Sequence, residues 1–142
     1  MKLKYKYIIG TQIMFYEIDM ASDFIESVSQ AISHISNKEN VTVDLCFNIS
    51  EYFEKIDTSV ISKQDLIDKF NTIVSNLKAQ GCNVVATIYE DDKPRTMVEY
   101  RRDLNYFGCQ DNDYVLWGET DCLIPAQCFV ILDSLMEYAH SV

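Results

Sequence analysis

Two carboxylates, Glu119 and Asp121, stand two positions apart in the chain directly after a short apolar run. Side chains at i and i+2 on a tight turn can both reach one hard cation, directly or through water, and that cation can hold a diphosphate. An isolated Glu-x-Asp is more often a solvated acidic turn, so the flanking residues must decide between the two interpretations. Here a run of bulky residues precedes the pair, and Pro125, a residue suited to the first turn of a helix, follows it.

Strand and helix signals that could position this turn alternate along the whole chain. Short runs rich in strand formers predict strands over residues 5–9, which Gly10 closes, and over residues 41–47, 83–89 and 114–117. The run at 83–89 is almost continuously apolar, which predicts burial on both faces of a sheet.

Apolar residues at helical spacing predict four helices between and after these strands. The predicted helices cover residues 22–36, a segment from the N-cap Ser62 to the C-terminal cap Gly81, residues 95–107, and a segment from Pro125 to about Tyr138. Residues 51–61 form the long irregular connection. This order predicts one α/β domain over residues 1–142, a Rossmann-like three-layer sandwich with a mainly parallel sheet.

Polar residues follow each predicted strand, where open α/β sheets bind their ligands. Loops after strands are polar in any case, so this placement alone carries little weight. The four clusters are Thr11 with Gln12, Asn48 with Ser50, Glu90 with Asp91 and Asp92, and Glu119 with Thr120 and Asp121.

Residues 113–125, DYVLWGETDCLIP, resemble the end of the nucleotide-binding half of family-2-like glycosyltransferases of the GT-A fold. In that family an Asp-x-Asp motif at the end of a strand holds a divalent metal and the diphosphate of a nucleotide-sugar. Glu119 and Asp121 fall on its two acidic positions. The resemblance therefore implies Mg²⁺ or Mn²⁺ on Glu119 and Asp121, and a nucleotide-sugar donor.

Other segments resemble the same family in the same order and extend the resemblance over nearly the whole chain. Residues 7–11 look like its first strand and turn, Asn48 falls where an acidic residue usually reads the base, and Arg101-Arg102 resembles an Arg-Asn element near the diphosphate. The donor contacts that the resemblance implies are Thr11, Gln12, Asn48, Arg101, Arg102 and Glu119. Asn48 and Glu119 both depart from the family's Asp. The family's second half, with the acceptor site and catalytic base, is not recognised, so acceptor and catalytic residues stay unknown.

Composition excludes several other classes of function. A net charge of −10 without a basic stripe argues against nucleic-acid binding, and no apolar run approaches the roughly 18 residues of a membrane span. The five cysteines form no CxxC and accompany only two histidines. We therefore expect reduced thiols in a cytoplasmic protein rather than a zinc site.

Two classes of function stay open after this reading. One is an enzyme, a glycosyltransferase; the other is a non-catalytic α/β binding or assembly module with a degenerate glycosyltransferase fold, which leaves self-association open. Arg101 and Arg102 suit a solvated helix face as well as a phosphate site, and Tyr114 and Trp117 are expected in the core. Asp121 should raise the pKa of Cys122 and so disfavour a thiolate nucleophile.

Overall fold

The computed structural model describes residues 1–50, 61–91 and 93–141, so most of the predicted connection 51–61, and also Asp92, lie outside the described residues. Within these ranges four strands form one parallel sheet in the order β3-β2-β1-β4. The strands are β1 (Tyr7–Met14), β2 (Val41–Asn48), β3 (Asn83–Tyr89) and β4 (Tyr114–Trp117). The helices are α1 (Ile18–Ser33), α2 (Lys63–Lys78), α3 (Met97–Asp111) and α4 (Cys128–Ser141).

The helices cover the two faces of the sheet unequally. Helices α1, α2 and α4 contribute Phe24, Phe70 and Phe129 to one large core on the first face. A smaller cluster on the second face joins Tyr100 and Leu104 of α3 to the sheet. Strands β2 and β3 are added on one side of β1, whereas β4 is added on the other side. Because parallel strands are joined by right-handed crossovers, this change places α3 on the opposite face of the sheet. The predicted α/β sandwich is thus confirmed, with an all-parallel sheet.

Several predicted boundaries agree with the structure. Strands β3 and β4 have the predicted bounds. Ser62 caps α2 because its hydroxyl oxygen accepts the Asp65 N–H at 3.0 Å. Gly81 follows the helix with a φ of 93°, a conformation that favours glycine. None of the helices in the described ranges is long and apolar enough to cross a membrane.

The predicted end of β1 at Gly10 is wrong. The strand continues to Met14, so Thr11 and Gln12 lie inside it, fully buried, rather than in a loop after it. A Cβ at Gly10 would lie 2.5 Å from the Tyr100 hydroxyl oxygen and 2.6 Å from a Leu104 methyl carbon. The glycine therefore marks the close approach of α3 to the sheet, a second common reason for glycine in a strand.

The predicted start of α3 at Arg95 is also wrong. Thr96 accepts the Glu99 N–H at 3.1 Å, and the Glu99 carboxylate accepts the Thr96 N–H at 2.9 Å. This capping box fixes the first helical residue as Met97 and leaves Arg95 in the preceding segment. The helix also runs to Asp111, beyond the predicted end at residue 107.

Helices α1 and α4 differ from their predicted limits as well. Helix α1 starts at Ile18, before the predicted Ser22, because the buried Ile18 and Ala21 extend its apolar face. Helix α4 starts at Cys128, and Pro125 lies in the turn before it, where its carbonyl oxygen accepts the Cys128 N–H at 3.0 Å.

The expected burial of β3 on both faces is wrong. The strand lies at the edge of the sheet, and Val85 is 48% exposed. Helix α3 packs over β4 and β1, and none of the described helices covers the corresponding face of β3. The second face of the sheet therefore contains an open groove beside α3.

Candidate functional site

The site candidate lies where the strand order reverses, between β1 and β4. Trp117, the last residue of β4, pairs with Gly10, while β1 continues to Met14. Gly118 extends this pairing, because its N–H donates to the Gly10 carbonyl oxygen at 2.7 Å. The turn that carries Glu119 and Asp121 thus leaves the sheet at the switch point, where open α/β sheets form their ligand crevice.

Glu119 lies on the α3 side of this turn. Its carboxylate forms an ion pair with Arg101 of α3. The Arg101 guanidinium also lies over the Trp117 ring, 4.8 Å from the ring centroid, and the indole N–H of Trp117 donates to Asn105 Oδ1 at 2.9 Å. These contacts join the end of β4 to α3 in one cluster of charged and aromatic groups, here called the Arg101–Trp117 cluster.

The prediction that Trp117 belongs to the core is wrong. Trp117 is 53% exposed, because it is the last residue of an edge strand. Tyr114, at the other end of β4, packs against the core as predicted, with its ring stacked 5.5 Å from that of Tyr7. An exposed indole fixed by a guanidinium and a carboxamide offers an aromatic surface beside the turn.

Asp121 lies on the α1 side of the same turn. It lines a shallow groove with Asp23 and Glu26 of α1, and the Ile124 N–H that follows donates to Ser27 Oγ at 3.1 Å. The Cys122 thiol donates to Asp121 Oδ1 at 3.6 Å. Desolvation, and then the charge of Asp121, raises the pKa of that thiol, as expected from the sequence.

Of the two carboxylates on the turn, Asp121 is the better placed to bind a hard divalent cation. Asp121 is exposed, and among the described residues its carboxylate accepts a hydrogen bond from the weak Cys122 thiol donor, whereas Glu119 is already paired with Arg101. Mg²⁺ is often held by one or two carboxylates, with phosphate oxygens and water as the remaining ligands. Within residues 1–50, 61–91 and 93–141, no group of three His, Cys, Asp or Glu side chains could hold a metal ion. Beyond the described carboxylates, a cation on this turn would take phosphate oxygens or water as further ligands.

Gln12 and Asn48 meet on the α3 side of the sheet, at the ends of β1 and β2. Both side-chain amides donate to the Arg95 carbonyl oxygen, at 2.6 Å and 3.3 Å. Asn48 Oδ1 accepts both the N–H and the hydroxyl of Ser50, while Gln12 Oε1 is buried without a hydrogen-bond partner among the described residues. These two amides fix the segment that leads into α3. Their predicted contacts with a nucleotide stay predictions.

The remaining predicted donor contacts are apart from the turn. Thr11 is fully buried inside β1. Arg102 pairs with a residue outside the Arg101–Trp117 cluster: its side chain is 71% exposed, and its Nε donates to Asp103 Oδ1 at 3.2 Å. Asp103 also accepts Arg95 Nη2 at 2.6 Å, and these guanidinium contacts, that of Arg95 above all, lower the pKa of Asp103.

The sequence reading did not single out Asn105 or Asp44. Asn105 had no signal in the sequence, because its role depends on the packing of α3 against β4. Asp44 did have a signal in the sequence, because it is a carboxylate within an alternating strand in which Thr42, Asp44 and Cys46 share one face.

Comparisons of the chain with protein-family models, with curated proteins and with solved structures find no match. The assignment of function therefore depends on the geometry of the turn and its neighbours.

Proposed function

We propose that the chain is a glycosyltransferase-like domain that binds a nucleotide-sugar donor through Mg²⁺ or Mn²⁺ at Glu119 and Asp121. The observation that carries the proposal is the position of Asp121: an exposed carboxylate on the turn that ends β4, at the switch point of a parallel sheet. The resemblance of residues 113–125 to the segment that carries the metal motif in that family supports it independently of the structure.

Arg101 supplies a positive charge that, together with the divalent cation, would offset the charge of a bound diphosphate. A protein with a net charge of −10 repels phosphate unless a local cation or a metal ion offsets it. The Arg101 guanidinium can release the Glu119 carboxylate and bind the diphosphate instead, because carboxylate and phosphate groups can both accept two parallel hydrogen bonds from one guanidinium. That exchange frees Glu119 as a second carboxylate for the cation.

The proposed chemistry is transfer of the sugar to an acceptor hydroxyl. Asp121 and Glu119 would hold a divalent cation, which would supply positive charge near the departing nucleoside diphosphate. Asp121 holds the cation, Arg101 pairs with the diphosphate, and the exposed face of Trp117 is available for stacking with a planar group of the donor. The catalytic base and the acceptor stay unassigned.

Thermal unfolding with uridine and guanosine diphosphates, each with and without Mn²⁺, tests this function. A ligand present at 100 times its Kd stabilises the folded state by about 2.7 kcal/mol, a rise of several degrees in Tm. We expect that rise only when Mn²⁺ and a nucleotide are both present. Asp121→Ala should abolish it together with any sugar transfer, and Asp68→Ala on α2, which also removes one exposed carboxylate, should keep it. A full response in Asp121→Ala would refute the proposal.

A second function, a non-catalytic binding or assembly module, is favoured by one observation. The polar groups of Glu119 and Asn48 are engaged inside the protein, by Arg101 and by Ser50 with Arg95. If no nucleoside diphosphate changes Tm, with Mn²⁺ or without it, the module is the better description. Sedimentation of the same samples would then show whether the chain assembles with itself.

A further inference from the structure

The open groove beside α3 lies on the second face of the sheet, away from the α1 side of the turn. It encloses about 590 Å³ between α3 and the uncovered parts of β2 and β3. Cavities of roughly 300–1,000 Å³ are the usual size for small organic ligands. The groove is therefore large enough for a ligand of its own.

Asp44 lies on the floor of this groove, in the middle of β2. It is only partly buried, so its carboxylate reaches the cavity that it lines. The Tyr100 hydroxyl donates to Asp44 Oδ1 at 2.8 Å and fixes the side chain. Among the described residues, no Lys, Arg or His forms an ion pair with Asp44. The carboxylate therefore faces the groove without a direct ion pair among the described residues. Burial raises its pKa, and the hydrogen bond from Tyr100 and the charge of Arg95 oppose that shift only in part.

The charges that line the groove have an excess of negative sign. The lining acids are Glu39, Asp44, Asp103 and Asp111, and the lining bases are Lys6 and Arg95. Arg95 is already committed to Asp103, at 2.6 Å. The groove therefore attracts a cation and repels an anion such as a nucleotide.

Apolar groups surround Asp44 and give the groove an amphipathic character. Val85 is the register neighbour of Asp44 on β3 and stands beside it on the same face. Phe107 of α3, 63% exposed, lines the same cavity. A ligand with an ammonium group next to an apolar body would match both features, because the partly buried carboxylate pairs with the cation and the side walls cover the body.

From this combination we propose that the groove binds a small organic cation, a primary amine with an apolar or aromatic body. The ammonium group pairs with Asp44, and the body lies against Val85 and Phe107. This site is independent of the turn at Glu119 and Asp121, and it does not require the proposed sugar-transfer function.

Two probes of equal size test the proposal by calorimetric titration and by amide chemical-shift mapping. 2-Phenylethylamine carries the ammonium group, and 2-phenylethanol replaces it with a neutral hydroxyl. We expect the amine to bind saturably, at one site per chain, with its largest shifts at Thr42, Asp44 and Val85, and at least ten times more tightly than the alcohol. Equal responses to the two probes, or no saturable response to the amine, would overturn the proposal.

Two variants and one control locate the binding. Asp44→Asn removes the charge and keeps an oxygen for the Tyr100 hydroxyl, so amine binding should weaken at least tenfold. Val85→Lys, at an exposed edge position that tolerates substitution, should place an ammonium beside Asp44 and block the groove even if Asp44→Asn fails to fold. Asp68→Asn on α2 should bind the amine like the natural protein. Unchanged binding in Val85→Lys contradicts the assignment.

Discussion

The same strands form both faces of the sheet, but different helices pack on the two faces and different types of residue line them. Toward α1, α2 and α4, strand β2 presents the fully buried Val43, Leu45 and Phe47. Toward α3 the same strand presents Thr42, Asp44 and Cys46, which line the open groove. The polar Thr42 and Asp44 thus stand on the side of β2 that is only partly covered by the described helices, where both keep partial access to water.

The turn at residues 119–121 is the place where the two faces meet. Glu119 contacts α3 on the open side, and Asp121 lies along α1 on the closed side. A cation held by both acids would therefore link the layers. The groove at Asp44, by contrast, belongs to the open face alone.

The largest expected effect comes from replacing a phenylalanine with alanine at one position on each face of the sheet. Phe47→Ala removes a fully buried ring stacked 5.0 Å from Phe70 on the closed face, and it should lower the free energy of unfolding by about 3–5 kcal/mol. Phe107→Ala, on the open face, should change it by less than about 0.5 kcal/mol. Urea denaturation of both variants measures the difference. Equal losses would mean that the open face is covered in solution.

A smaller loss is expected from Gly10→Ala, where α3 touches the sheet. The new methyl group would meet Leu104 and the Tyr100 hydroxyl, an overpacking that costs about 1–3 kcal/mol. The cost of Gly10→Ala should be smaller in a Leu104→Ala background, because that variant removes both contacting methyl groups. Simple additivity of the two substitutions in urea denaturation would contradict this close approach.

The smallest effect concerns pH and distinguishes two acids on the open face. Burial raises the pKa of Asp44, so from about pH 4, the ordinary pKa of an aspartate, up to the raised pKa the folded state binds more protons at this site than the unfolded state does, and its contribution to stability falls as pH rises. Arg95 lowers the pKa of Asp103, whose contribution is lost as pH falls. The stability of Asp44→Asn relative to the natural protein should therefore rise with pH, and that of Asp103→Asn should fall. Parallel pH profiles from urea denaturation would contradict both assignments.

The order and type of the elements could be predicted from local signals. Apolar runs between turn residues marked β3 and β4, and the Ser62 cap marked α2. Gly10 misled the reading of β1, because a glycine at a strand end and a glycine under a helix look alike in sequence. The continuous apolar run of β3 suggested burial on both faces, but only the tertiary arrangement decides which face a helix covers.

The acidic residues of the candidate site could be predicted from the sequence, but the contacts that they make could not. The spacing of Glu119 and Asp121 after β4 identified the turn, and the strand order places that turn at the switch point. The division of Arg101 and Arg102 into a paired and a solvated arginine depends on the rotation of α3, which sequence spacing does not fix. The burial of Gln12 and Asn48 on the Arg95 carbonyl likewise requires three distant segments to meet.

Paramagnetic broadening by Mn²⁺ would locate the cation most directly. Substoichiometric Mn²⁺ is added to labelled protein with uridine or guanosine diphosphate, and the loss of each backbone amide signal is followed. We expect the steepest loss at Gly118 to Cys122, little loss at Thr42 and Val85 in the groove, and no selective loss in Asp121→Asn. Broadening centred on the groove, or the same pattern in Asp121→Asn, would contradict a metal–nucleotide site at this turn.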